Sequence, residues 1–386
     1  MLPTSMLLRW CAAAHERCDY ARLIVVARYD AADERFGHQI PEPFRNTVLH
    51  HHDWRESLFF VMHPTDRLGD VYILTLANFP ARSEMDSLQL GRHGDSAIFA
   101  RHARHVNGDH DDWKVGPVQI DVLEPRRKVR LRVAGGDLPQ GSVAPGGKVP
   151  LAMDVTYTAR VQPYQLRRGT MKAGSEVVWD QSHMFQSGWY EGTVTHNGVT
   201  HTIDKWWGQR DHSWGIRTHY RCPMWMWLAI HVPEGMLAVW CWELPNGARI
   251  YTDGCLSPSD GGEPIAVREF HHDLAWLDAA GNEASYERHG EHIRGLAGDV
   301  TFVLENGRRI EVGATGRWAQ RYDAFNPGKQ NSLGGGLSEM LVETNDGQRG
   351  TAIYEVTGAW HHRYFPLARG ERLPPDGYTP GENERA

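Results

Sequence analysis

The 386-residue chain carries 41 Lys and Arg against 48 Asp and Glu, a formal net charge of -7, and 41% of its residues are hydrophobic. That length exceeds the usual single domain, so two domains or one bilobed β structure are expected. The acidic balance argues against nucleic acid or an anionic membrane as the main partner, because phosphate binding needs a surplus of Lys and Arg.

Residues 1–45 read as an N-terminal segment. Its opening, MLPTSMLLRWCAAAHER, has small residues that imitate a cleavage site, but Arg9 interrupts a short apolar run and no signal peptide is expected. Nowhere do about 18 apolar residues run together, so stable membrane insertion is not expected. Five cysteines, odd in number and without a CxxC pair, indicate neither a disulfide framework nor a thiolate zinc site. A reducing, cytoplasmic compartment fits them better than the periplasm.

From residue 46 onward the signals are those of strands. SLFFVMH and DVYILTLANF flank a turn at PTDRLG, followed by PVQIDVLE, KVRLRV and LAMDVTYTARV. In EPRRKVRLRV, Arg126, Lys128, Arg130 and Arg132 alternate with Val129, Leu131 and Val133, the pattern of a strand with one solvated face. Residues 134–150 are a Gly/Pro-rich loop. Helical periodicity is weak and confined to 5–19 and 158–175. In the second half, Asn197-Gly198, Asn246-Gly247, Asn306-Gly307 and Asp346-Gly347 sit between β-rich runs, each supplying the positive φ of a type I′ turn. The fold class expected is all-β with few helices, in two antiparallel units at 46–200 and 201–366. A tail at 367–386, with three prolines and little to bury, reads as disordered.

Register carries the most information in the second unit. MWMWLAIH (224–231) and MLAVWCWE (236–243) are joined by VPEG, so His231 faces Met236, Trp227 faces Trp240 and Trp225 faces Trp242. The Asn246-Gly247 turn then sets Tyr251 opposite Trp242 and Asp253 opposite Trp240. All six side chains project from one side of the sheet, with Met226, Leu228, Ile230, Leu237, Val239 and Cys241 on the reverse. Both sides are apolar, so one is core and the other is covered by a second layer or lines a cavity. A dry core would not accept Asp253 unpaired, and an aromatic wall holding one carboxylate resembles a ligand pocket.

Upstream, WWGQRDHSWG (206–215) mixes titratable and aromatic residues. Asp211 and His212 are adjacent and would face opposite ways on an ideal strand, a rule that weakens in a turn bounded by Gly208 and Gly215. His212 can exchange a proton near neutral pH, with Asp211 or Asp180 to orient it. Alone, such a pair is more often a hydrogen-bonded corner than a catalytic one. Arg210 would keep Asp211 ionised, which favours Asp253 as proton donor; that carboxyl's pKa would have to rise by about 3 units to be protonated at pH 7.

Histidine runs at 50–53, 271–272 and 361–362 offer no third metal ligand at fixed spacing, so no metal is expected. SLGGGLSE (332–339) lacks the setting of a phosphate loop, and neither GxSxG nor HExxH occurs. No cofactor is expected.

With GQRDHSWG followed by YTD, the sequence resembles the superfamily of carotenoid 1,2-hydratases (hydroxyneurosporene synthases) and AttH-like proteins, and within it a branch carrying G-x-R-D-H-S-W-G. The resemblance implies two lipocalin-like β domains. The hydratases' H-x-W and Y-x-D pattern falls on His212 and Trp214, then Tyr251 and Asp253, with a longer separation here. It implies that Asp253 donates a proton to an alkene, His212 handles water, Asp211 orients His212 and Tyr251 bonds to Asp253. Trp214, Trp225, Trp227, Trp240 and Trp242 would bind a large apolar substrate, isoprenoid or polyketide, and stabilise a cation. Hydration, isomerisation or cyclisation would follow. Alternatives are a carrier of an apolar ligand and a shape-driven Diels-Alder type cyclase.

Overall fold

The computed structural model describes residues 29–38, 51–106, 111–173, 175–219, 224–243, 249–284, 286, 292–322 and 334–357. The weak helical pattern at 5–19, the Asn246-Gly247 turn and the 367–386 tail lie outside the described residues.

The first half of the chain builds one antiparallel sheet of 13 strands: β1 (Trp54–Met62), β2 (Asp70–Phe79), β3 (Glu84–His93), β4 (Ser96–His105), β5 (Lys114–Val115), β6 (Val118–Glu124), β7 (Lys128–Val133), β8 (Ser142–Val143), β9 (Leu151–Ala159), β10 (Tyr164–Gln165), β11 (Gly169–Ala173), β12 (Glu176–His196) and β13 (Val199–Arg217). Its path runs β5-β6-β7-β9-β12-β13-β1-β2-β3-β4-β8, with β10 and β11 added on β12, and it curls into a half-barrel. The second half comprises β14 (Met224–Val232), β15 (Gly235–Glu243), β16 (Arg249–Pro258), β17 (Ile265–His272), β18 (Ala275–Leu277), β19 (Gly295–Leu304), β20 (Arg309–Arg321), β21 (Gly335–Thr344) and β22 (Arg349–Thr357). Pairing of β17 with β19 closes eight of these strands into a barrel, and β18 sits on β19. The fold is therefore all-β, with two lipocalin-like domains. No helix among the described residues is long and apolar enough to cross a membrane.

Local sequence accounts for much of this. In β7, Val129, Leu131 and Val133 are buried, while Arg130 and Arg132 reach Asp154 and Asp121 on the neighbouring strands. Asn197 and Gly198, with φ of 49° and 78°, make the expected type I′ turn between β12 and β13. The other two described turns differ. At Asn306-Gly307 and Asp346-Gly347 only the glycine has positive φ, and Gly307 and Gly347 donate to Leu304 and Thr344, which is a type I turn closed by a left-handed glycine. The stretch 158–175 is not helical: it folds as β10 and β11, because Pro163 lacks an N–H and Gly169 weakens helix propagation. The division expected at 200/201 falls inside the β12–β13 hairpin, which belongs to the first sheet; the chain passes to the second barrel between Arg217 and Met224.

Apolar side chains form three principal layers. The half-barrel encloses Leu58, Phe60, Tyr72, Tyr157 and Tyr190, and the closed barrel encloses Met226, Leu228, Val239, Phe302 and Tyr354. Between them lies a third layer in which Val61, Ile73, Trp179 and Phe185 of the first sheet meet Trp225, Trp227, Trp240 and Trp242 of the second. This explains why both faces of β14 and β15 are apolar. One lines their own barrel and the other packs on the neighbouring sheet.

Candidate active site

The tryptophan register is as the sequence predicts. Trp225 pairs with Trp242 and Trp227 with Trp240 across β14 and β15, and Trp242 pairs with Tyr251 and Trp240 with Asp253 across β15 and β16. Beyond the reach of hairpin arithmetic, β22 lies on the other side of β14 and sets Glu355 opposite Trp227. One cross-strand row thus runs Glu355, Trp227, Trp240, Asp253, with a carboxylate at each end.

The facing wall comes from β1, β12 and β13. Because β13 is an unbroken strand, alternation holds throughout the signature, and neighbouring residues part company. Arg210, His212 and Trp214 point into the half-barrel, while Asp211, Ser213 and Arg217 point toward the tryptophans. Register adds partners to each row: Ser57 and His183 flank Ser213, Phe59 and Phe185 flank Asp211, and Trp179 pairs with Arg217. Gly208 and Gly215 do not bound a turn. A Cβ on either would lie 1.9 Å or 1.8 Å from a carbonyl oxygen of the adjacent strand, so they permit close strand approach.

Between the walls is a half-open cavity of about 280 Å³, lined by Trp179, Trp225, Trp227 and Trp240 and by the polar groups of Arg55, Ser57, His183, Asp211, Ser213, Arg217, His219, Tyr322 and Glu355. That volume lies near the lower end of small-molecule sites. The large apolar substrate expected from sequence would enter it only in part. Glu355 accepts a hydrogen bond from Tyr322 Oη at 2.8 Å, and burial, reinforced by the charge of Asp211, pushes its carboxyl up to about 7. Across the cavity, Asp211 Oδ2 lies 3.0 Å from His183 Nε2, a close contact but not an aligned hydrogen bond, and His183 Nδ1 has no partner. Burial pushes the His183 imidazole below its ordinary value, with Asp211 opposing, so the ring is neutral at pH 7. The site therefore pairs a carboxyl that is about half protonated at pH 7 with a neutral imidazole on opposite sides of an aromatic box.

Several residues expected to act together are placed apart. Asp253 is buried but does not line the cavity: Oδ1 accepts from Tyr164 Oη and Gly254 N–H, and Oδ2 from the Arg167 N–H at 2.6 Å and its Nε at 3.4 Å. With both oxygens engaged as acceptors, it braces the β10–β11 connection and is not placed to give a proton to a substrate. Tyr251 donates to the Arg167 carbonyl at 2.6 Å and does not bond to Asp253. His212 is fully buried in the half-barrel, between Tyr29 Oη at 2.8 Å and Glu56 Oε1 at 3.0 Å. Asp211 lies beside His183, not His212, because adjacent strand residues face opposite ways. Trp214 stacks on His38 at 3.8 Å, and Trp242 packs on Tyr251 and Trp179, so neither reaches the cavity. Trp225, Trp227, Trp240 and Asp211 do.

A consequence follows for Asp253→Asn. Losing charge-assisted bonds should lower stability by about 1–3 kcal/mol, measured by urea denaturation, while any turnover of the folded variant stays within a few-fold of wild type. Loss of turnover without loss of stability would restore Asp253 as the acid.

His38, Glu56 and His212 bring ligand atoms within 4.8 Å of one another, a donor set a divalent cation could use. His38 Nδ1 lies 2.6 Å from Glu56 Oε1, and bonds from His212 and His38 outweigh burial to hold the Glu56 carboxyl down at about 2. These hydrogen bonds alone account for the cluster. A larger open groove of about 750 Å³, where Arg160 stacks on Trp189 and Trp207, is lined by no carboxylate or histidine.

A family model described as "Domain of unknown function (DUF7064)" matches residues 45–359. No curated protein matches significantly. Among solved structures, the Nitrosomonas europaea protein NE1406, described as an AttH candidate, superposes with a TM-score of 0.53 at 13% identity, covering 84% of this chain and 98% of that one. Kievitone hydratase from Nectria haematococca matches with a TM-score of 0.44 at 14% identity over 78% of this chain and 88% of its own. CghA matches with a TM-score of 0.46 at 10% identity over 83% and 94%. At 13% identity the likeness to NE1406 is one of fold alone.

Proposed function

The chain belongs to the DUF7064 family, and from the geometry of its cavity we propose that it is an enzyme transforming an alkene of an apolar, isoprenoid or polyketide substrate by acid-base chemistry. The observation that carries this is Glu355: a carboxyl held by Tyr322 against Trp225, Trp227 and Trp240, facing His183 and Asp211. Glu355 protonates one alkene carbon. The electron-rich faces of the tryptophans stabilise the carbocation that forms, at about 0.5–2 kcal/mol for each well-placed ring. Neutral His183, beside Asp211, then accepts a proton, from water in a hydration or from a neighbouring C–H in an isomerisation or cyclisation.

The test does not depend on knowing the substrate. Geraniol, geranate and longer polyenes are incubated with the protein in D₂O, and deuterium on carbon is read by mass spectrometry. Protonation of an alkene incorporates deuterium whichever product follows. Conversion without incorporation would replace this mechanism by a pericyclic cyclase, and quenching of tryptophan fluorescence without conversion would leave a carrier. Turnover should also fall about tenfold per pH unit above about 7, since only the protonated Glu355 acts.

A further inference from the structure

The cavity holds a cation that the acid-base chemistry does not use. Arg217 is 9% exposed, and its Nη2 donates to Ser213 Oγ at 2.9 Å and to Ser57 Oγ at 3.4 Å. Its Nε has no partner, nor does Nε of Arg55. Among the described residues neither guanidinium has a carboxylate within ion-pair distance, although both line the cavity. Burying a charge without a counter-ion is costly, and a native structure retains such a charge where something else supplies the counter-ion. Burial, with Arg55 nearby, pushes Arg217 down to about 9, so it is still charged at neutral pH. The two serines accept from Arg217 and share one hydrogen bond at 3.3 Å, which leaves one O–H group to donate. The indole N–H groups of Trp179, Trp227 and Trp240 also lack partners. The cavity lining therefore carries donors in excess.

We propose that Arg217, with Ser57, Ser213 and Arg55, is a head-group subsite, and that the ligand is an amphipathic molecule carrying a carboxylate beside its apolar chain. A planar guanidinium edge matches a carboxylate in geometry and charge. A dianion such as a phosphate monoester is disfavoured, because Asp211 and Glu355 share the cavity. The inference rests on the proposed function only in placing the apolar chain along Trp225, Trp227 and Trp240.

Calorimetric titration of geranate against geraniol tests it, because the two probes share a ten-carbon chain and differ in the head group. Wild type should bind geranate at least tenfold more tightly. Arg217→Gln should remove that preference by weakening geranate at least tenfold more than geraniol, and Arg55→Gln should reduce it. Equal affinity of wild type for the two probes overturns the subsite, as does a preference that survives in folded Arg217→Gln. Should Arg217→Gln not fold, the wild-type comparison decides. Failure here is distinguishable from failure of the acid mechanism: Glu355→Gln should keep the geranate preference while losing deuterium incorporation, whereas equal binding with incorporation intact removes the subsite alone.

Discussion

Glu355→Gln is expected to lower turnover by about 10²- to 10⁴-fold, the range a positioned general acid supplies, while making the folded protein more stable at alkaline pH. The second half of that result distinguishes an acid from a structural carboxylate. Glu355's carboxyl is raised from 4.5 to about 7 in the folded protein. A group so raised contributes fully below its unfolded value, and that contribution is lost as pH rises through about 7. At pH 8 the cavity holds a charge it does not favour, worth about 3 kcal/mol from the shift alone. Glutamine keeps the shape and can accept from Tyr322 without the charge. The stability difference between variant and wild type should therefore grow from pH 5 to pH 8 in paired urea denaturations. A variant that is inactive because it is destabilised at both pH values would remove Glu355 from the mechanism.

Arg210→Ala should have the largest effect on stability, about 3–5 kcal/mol, because it leaves a buried carboxylate without its partner. Arg210 Nη1 and Nη2 bond to Glu34 Oε2 and Oε1 at 2.9 Å and 2.6 Å, its Nε bonds to Gln186, and the residue is 1% exposed. Burial opposes the charge on both partners, but Arg210 holds Glu34 below its ordinary value and Glu34 holds Arg210 above its own. The pair also anchors a segment. Tyr29 bonds to His212, and the backbone N–H groups of Gly37 and His38 donate to Glu56. Amide hydrogen exchange over 29–38 should accelerate with the loss of Arg210, and the double variant Arg210→Met with Glu34→Leu should recover much of the stability, since no charge is then left unpaired. Additive losses in that double variant would mean that the two side chains act independently.

These two expectations sort the signature by parity. Its even residues Arg210, His212 and Trp214 grip the N-terminal segment, and its odd residues Asp211 and Ser213 face the cavity. The alternation was legible once the stretch was recognised as strand rather than turn. Runs such as QRDHSW have few β-branched residues, and flanking glycines imitate turn punctuation; here those glycines serve close strand approach. Glu355 left a fainter trace. It is a lone carboxylate in AIYEVT, where Ile353 faces the same side and Tyr354 and Val356 face the barrel interior.

What the sequence determined by itself is what short-range geometry controls. Strand alternation and turn length set the β14–β15–β16 register, the tryptophan row and the all-β fold, because a hairpin's pairing follows from its own connection. Tertiary structure alone decided which carboxylate of the row faces the cavity. Asp253 and Glu355 both border it, yet Asp253 meets Tyr164 and Arg167 from the first sheet while Glu355 accepts from Tyr322 and faces the cavity. Those partners are distant in sequence, brought together by barrel closure and by packing of one sheet on the other. Whether a buried carboxylate is neutralised by donors or left to hold a proton depends on such contacts, and no local pattern encodes them.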